Sequence, residues 1–219
     1  MPTIVIASPK GGAGKSTTAV ILGTELAHAG AEIVMIDCDP NASLRMWAER
    51  APLPIRMSIL SNIGESEIVR TIKQHDQDGK IVVVDLEGVA SRLVSRAISQ
   101  ADLVITPMRA TTLDATIGVR ALALIAEEEE ALDRKIPHAV VFTMTKAIKS
   151  KQHSGIAESL ATQGVDVIDP PLMERAAFSA LFEFGGSLRS MPAQGNMEAA
   201  IENAASFAQA VYKRLAGEG

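Results

Sequence analysis

Lys15, Ser16, Thr17, Asp37, Asp39 and Asp85 are the residues of this sequence whose types and spacing suit phosphate chemistry. The first three close the stretch Thr3–Thr18, TIVIASPKGGAGKSTT, which reads as a buried strand (Thr3–Ser8), a glycine-rich turn and the opening of a helix. That order of parts traps an anion. Glycines let the backbone curl so that successive N–H groups face inward, and the start of the helix adds its positive dipole end. Lys15 is placed to reach the β- and γ-phosphates of a nucleotide, and Ser16 to hold Mg²⁺ through its hydroxyl. Gly11, Gly12, Ala13, Gly14 and Thr17 complete the candidate cradle. The common pattern G-x-x-x-x-G-K-[ST] requires glycine at position 9, where Pro9 stands; a second lysine, Lys10, precedes Lys15 instead.

The three aspartates each follow a run of Ile, Val or Met, in IVMIDCDP and KIVVVD. Singly, each reads as a turn residue at a strand end. Ligands of parallel sheets bind at the C-terminal ends of the strands, so the three together predict carboxylates converging near the Ser16 hydroxyl. A nucleotide–Mg²⁺ site needs that set: oxygen ligands for a hard cation that keeps several waters, and a group that orients an attacking water.

Positioning these groups takes a chain that alternates strand and helix. Helix Ser16–Ala29 and strand Ile33–Ile36 follow the glycine turn, forming a right-handed βαβ unit and hence a parallel sheet. Asn41 or Ser43 caps a helix that runs to about Arg50, before Pro52 and Pro54. Further helices are predicted at Glu65–His75, Ser91–Gln100, Thr112–Leu132, Ser154–Gln163, Glu174–Phe184 and Met197–Leu215, and strands at Lys80–Asp85, Asp102–Thr106, Ala139–Thr143 and Val165–Ile168. The pattern is that of an α/β protein with a doubly wound, mostly parallel sheet, residues 1–219 forming a single domain. With 47% hydrophobic but only 3% aromatic residues, its core is aliphatic, as parallel strands under Ala/Leu-rich helices require. The acidic run Glu127–Glu130 reads as a solvated helix face. One cysteine, Cys38, excludes an internal disulfide and points to a reducing compartment. Neither a signal peptide nor a membrane span is readable, so the expectation is a cytoplasmic protein with no membrane partner.

KGGAGKST with its extra lysine resembles the deviant Walker A motif of the ParA/MinD family of P-loop ATPases. IVMIDCDP resembles the family's A′ segment, and KIVVVD its Walker B strand. SLRMW (Ser43–Trp47) and LVITPMRATTLDA (Leu103–Ala115) look like segments of small plasmid-type ParA proteins. DPPLMERAAFSALFEFG (Asp169–Gly185) is similar to their late arginine–phenylalanine–glycine segment, most closely that of the ParA relative of agrobacterial DNA transfer. The resemblance implies ATP and Mg²⁺ as cofactors. It implies Asp39 as the carboxylate that positions the hydrolytic water, Asp37 as its neighbour near the metal, and Asp85 as the aspartate that holds Mg²⁺ largely through water. Lys10 matches the lysine that crosses a dimer interface to the partner's nucleotide, so the catalytic set is Lys10, Lys15 and Asp39. Pro171 is expected at the nucleotide. Asn41 stands where the family often has glutamine, and Leu86-Glu87-Gly88 replaces the usual small or polar residues after the Walker B aspartate.

The implied activity is ATP hydrolysis in a positioning switch. An ATP-bound homodimer holds nonspecific DNA on the nucleoid, and a DNA-bound ParB-like or transfer-complex partner stimulates release. The P-loop begins at once, where self-regulating relatives carry a DNA-reading extension, so operator binding is not expected. The chain's charge is −5, yet Thr143–Gly155 has no acidic residue and holds Lys146, Lys149 and Lys151, with Arg175 and Arg189 following. These five are the candidate DNA contacts. A MinD-like membrane localiser would need a basic amphipathic last helix, whereas Met197–Gly219 sets Lys213 and Arg214 against Glu198, Glu202 and Glu218. A metabolic P-loop amidating or synthase enzyme would need a substrate pocket, and none is readable. An iron–sulfur role like that of nitrogenase iron protein needs more cysteines than Cys38.

Overall fold

Continuous runs of Ile, Val and Leu that are buried on both faces build the centre of the protein, and helices cover each side. The computed structural model describes residues 2–88, 91–146 and 150–217, with the backbone alone for residue 77 and for 113–120. In chain order the elements are β1 (Thr3–Ile6), α1 (Lys15–His28), β2 (Ile33–Cys38), α2 (Ser43–Ala48), β3 (Met57–Ser61), α3 (Ile68–Gln77), β4 (Ile81–Leu86) and α4 (Arg92–Ile98). They continue with β5 (Leu103–Met108), α5 (Thr112–Leu132), β6 (His138–Phe142), α6 (Lys151–Thr162), β7 (Asp166–Ile168), α7 (Ala176–Phe184) and α8 (Met197–Leu215).

The strands form one seven-stranded sheet in the order β3-β2-β4-β1-β5-β6-β7, and every pairing is parallel. The sheet is thus α/β and doubly wound as expected, and wholly rather than mostly parallel. The edge strand β3 is an addition to the sequence reading. Its side chains are half exposed, and two serines interrupt the apolar pattern, so Met57–Ser61 lacks the apolar run that marks the inner strands.

Side chains alternate across the sheet. Ile4, Ile6, Met35, Val83, Ile105 and Val141 pack on one face with α1, α7 and α8, whereas Val5, Val34, Val84 and Val104 pack on the other with α3, α4 and α5. The same alternation puts Asp37, Asp85 and Thr143 on the face that carries α1. That helix is buried almost all round, and Gly23 lets it press close on the sheet, since a Cβ there would lie 3.0 Å from Met35 Sδ. Beside the C-terminal end of β2, α2 locks onto α7. Trp47, fully buried, donates its indole N–H to the Gly186 carbonyl at 3.0 Å. Gly185, at φ 73°, comes so near α2 that a Cβ would sit 2.7 Å from that of Arg50.

Candidate nucleotide site

Strand β1 stops at Ile6, level with Asp85 of β4, and the chain then loops over the C-terminal edge of the sheet before entering α1 at Lys15. Gly12 and Gly14 take positive φ of 73° and 92°, the left-handed backbone that glycine adopts without penalty. Gly14 caps the helix, and the Thr18 N–H bonds to its carbonyl at 2.8 Å. Two neighbouring strand ends hold the loop from outside. The Arg109 guanidinium, beyond β5, donates to the Gly12 carbonyl at 3.2 Å, and the Thr143 hydroxyl, beyond β6, donates to the Ala13 carbonyl at 2.8 Å. Lys15, 7% exposed, turns its ammonium toward the Lys10 carbonyl at 3.4 Å. Gly88 closes over it: a Cβ there would meet Lys15 Nζ at 3.3 Å and the Gly11 nitrogen at 3.4 Å.

The carboxylates gather on the same side. Asp37 and Asp85 are register partners on β2 and β4, 3% and 0% exposed. Asp37 accepts from the Arg45 N–H at 2.9 Å and the Asp39 N–H at 3.2 Å, so the helix α2 start feeds its charge. Burial nonetheless holds its carboxyl above the ordinary range, with the Asp39 charge adding to the rise. For Asp85 burial dominates and pushes the pKa up to about 7. The Ser16 hydroxyl and the Lys15 charge pull the other way, and Asp37 and Asp39 oppose them. Neither oxygen of Asp85 finishes with a properly formed hydrogen bond among the described residues. Asp39 is partly exposed, and its Oδ1 is held at 2.8 Å by both the backbone and side-chain N–H groups of Asn41. Cys38, between them, points to the opposite face, and burial pushes its thiol up to about 12, which makes it inert packing.

These groups suit a hard cation bound with phosphate. A fully buried carboxylate beside a serine hydroxyl, with neither oxygen satisfied, is an arrangement a cation and its waters would complete. Among the described residues no cluster of three or more His, Cys, Asp or Glu could hold a metal alone, so phosphate oxygens and water would supply the other ligands.

Beside the loop, a cavity of about 120 Å³ is lined by Gly14, Thr17, Thr18, Thr143, Met173 and Arg175, among others. Thr18 Oγ and Arg175 Nε are buried there without a hydrogen-bond partner among the described residues. Pro171 stands just outside this lining; its carbonyl accepts from Asn203 Nδ2 at 2.8 Å, and Asn203 Oδ1 in turn accepts from the Met173 N–H at 2.9 Å. Asn203 therefore sets the course of the segment that walls the cavity, a role α8 does not announce in sequence.

A family model described as the CobQ/CobB/MinD/ParA nucleotide binding domain matches residues 4–188. The chain belongs to this family. It stands with the ParA-type P-loop ATPases: it is 64% identical over 217 residues to Protein ParA of Rhizobium radiobacter, covering 98% of each chain. Protein virC1 of Rhizobium rhizogenes is 25% identical over 191 residues, 84% of this chain and 82% of that one, a much weaker likeness. The structure of a McdA variant–ATP complex from Cyanothece superposes with a TM-score of 0.75 at 18% identity, covering 100% of this chain and 97% of that one, which speaks for the fold.

The basic residues expected at DNA have different surroundings. Lys146 and Lys151 are exposed, the latter opening α6, and Lys149 lies outside the described residues. Arg175 faces the cavity beside Thr17. Arg189 is bound to the carboxylate of Glu25, which is 4% exposed, about 15 Å along α1 from Lys15. Arg109 and Thr143 escaped the sequence reading because their partners lie 97 and 130 residues away. The only signal available was a polar residue just past each of two apolar strands. No helix among the described residues is long and apolar enough to cross a membrane.

Proposed function

We propose that this chain is an ATP-hydrolysing partition switch. Two copies sandwich two ATP molecules, the dimer holds DNA without sequence preference, and hydrolysis, stimulated by a DNA-bound partner protein, releases it. One observation carries the nucleotide part: the fully buried, unsatisfied Asp85 carboxylate beside Ser16, at the mouth of a loop whose Gly12 and Ala13 carbonyls are drawn outward by Arg109 and Thr143. The 64% identity to a protein named ParA supports the partition part.

In this reading Gly11–Thr17 cradle the phosphates, with Lys15 swinging from the Lys10 carbonyl to their oxygens. Ser16 and Asp85, with Asp37 behind them, hold Mg²⁺, which when bound neutralises charge that builds on the transferred phosphoryl group. Asp39 accepts the proton side of the attacking water through the oxygen that Asn41 leaves open. Lys10 reaches the partner's phosphates. The cavity lined by Thr17, Thr18 and Arg175 receives the nucleoside, with Pro171 at its border. Lys146, Lys149 and Lys151 meet DNA. Arg189, already neutralised by Glu25, contributes little there, and Arg175 contributes only if it leaves the cavity.

The test is ATPase activity and DNA retention measured with ATP, ADP or no nucleotide, in the presence of plasmid DNA or anionic lipid vesicles. Retention on DNA with ATP only, weakening steeply with salt, is the expected result. Retention on vesicles instead would favour a membrane localiser, and absence of both at low salt would end the switch reading.

A further inference from the structure

A trans peptide unit carries its C=O and the following N–H on opposite sides. Whatever holds one carbonyl therefore aims the next N–H. In the phosphate loop two consecutive peptides are held in this way, and the holding groups come from outside the loop. Arg109 fixes the Gly12 carbonyl at 3.2 Å, which turns the Ala13 N–H away from Arg109. Thr143 fixes the Ala13 carbonyl at 2.8 Å, which turns the Gly14 N–H away from Thr143. Among the described residues neither of those N–H groups has a backbone acceptor.

The two holding residues form a fork. Thr143 donates its own N–H to the Met108 carbonyl at 2.8 Å, so the ends of β5 and β6 are tied together at the point where Arg109 and Thr143 leave them. Arg109 is itself braced by a tight turn in which the Thr111 N–H bonds its carbonyl at 2.8 Å. Thr143 is 4% exposed and its methyl lies against Gly14, 3.4 Å from where a Cβ would be, so both its hydroxyl and its bulk set the loop. Arg109 is exposed, and among the described residues its side-chain hydrogen bond is the one to the Gly12 carbonyl.

We propose that Arg109 and Thr143 are positioning residues of the phosphate site: they preset the Ala13 and Gly14 N–H groups to receive an anion before any nucleotide arrives. The inference rests on the nucleotide reading above. Preorganised donors cost no reorientation on binding, so loss of either prop appears as weaker phosphate affinity and not as loss of fold.

The experiment is calorimetric titration of the full chain with MgADP, which needs neither a dimer nor DNA, together with amide NMR of the same samples. Arg109→Ala should weaken MgADP about three- to tenfold, the worth of one hydrogen bond, while Arg109→Lys restores most of the affinity. Thr143→Val should weaken it about tenfold or more, because it strands a buried carbonyl, while Thr143→Ser stays near wild type. Thermal unfolding of nucleotide-free Arg109→Ala should match wild type. The Ala13 and Gly14 amide resonances should shift on MgADP addition in wild type and shift less in Arg109→Ala and Thr143→Val respectively. If wild type binds MgADP and Arg109→Ala binds it equally, with unchanged Ala13 response, the positioning role is overturned while the nucleotide reading stands. If wild type itself fails to bind MgADP, both fall. The exposed Arg109 variant keeps the test decisive should Thr143→Val not fold.

Discussion

Asp37 and Asp85 face each other in register across two neighbouring parallel strands, both turned toward α1 and both almost without contact with water. Two like charges so placed are stable only with backbone donors or a cation. Asp37 has the donors, from Arg45 and Asp39, and Asp85 does not.

That asymmetry predicts how the nucleotide-free protein responds to pH. Asp85 has a folded-state pKa of about 7, raised from an unfolded value near 3.8. The folded state thus binds the extra proton between those values, and stability is full below the lower one and falls as pH rises through the upper. The loss amounts to about 4 kcal/mol at most by the usual conversion. Asp85→Asn removes it. In denaturant melts without nucleotide the variant should be more stable than wild type at pH 8, and the gap should close toward pH 5. A gap independent of pH would refute the assignment.

Hydrolysis and binding should separate by residue. Lys15→Ala should lose nucleotide affinity, because it deletes the cation of the loop. Asp39→Ala should keep binding ATP and lose turnover by about a hundredfold or more, the scale of a lost general base. Nucleotide fluorescence titration and phosphate release measure the two. An Asp39→Ala protein that turns over at the wild-type rate removes Asp39 from the mechanism.

Lys10 should matter between chains. In light scattering with a non-hydrolysable ATP analogue, wild type should run as a dimer and Lys10→Ala as a monomer, while both bind the analogue with similar affinity. Dimerisation of the variant would show that Lys10 does not bridge.

The α2–α7 junction should be intolerant of side chains. Gly185→Ala forces a Cβ into the left-handed region and to within 2.7 Å of Arg50 Cβ and 2.8 Å of the Ala51 nitrogen, backbone that cannot swing aside. A loss of about 2–4 kcal/mol is expected in urea unfolding, against about 1–2 kcal/mol for Gly79→Ala, where the turn has open space and only the positive φ opposes a side chain.

The parts legible in sequence were those written locally. Each inner strand carries a run of three or four apolar residues, and the glycine loop, Lys15 and the strand-end aspartates sit within a few residues of the signals that name them. Helix starts were less so: α6 opens at Lys151 because Ser150 caps it through the His153 N–H, three residues before the predicted start. Strand β3 hid because an edge strand needs no apolar run. Long-range polar contacts left no trace of their partners. The basic side chain of Arg189 reads as a surface cation in sequence, and only the fold brings Glu25 against it from 164 residues away.

Both edges of the sheet are short, five residues in β3 and three in β7, and charge guards each of them. At β7, Arg214 of α8 straddles Asp166 with bonds of 2.6 and 2.9 Å; just before β3, Arg56 pairs with Glu32 at 3.6 Å. Neither border offers a neighbour a long, bare ladder of N–H and C=O groups on which to continue the sheet. Two copies of this chain are thereby steered away from joining strand to strand, and the proposed ATP-bound dimer would meet at the rim where the strands end. A dimer built there would exchange side chains and bound phosphate without mixing backbones, and so could come apart as readily as it formed.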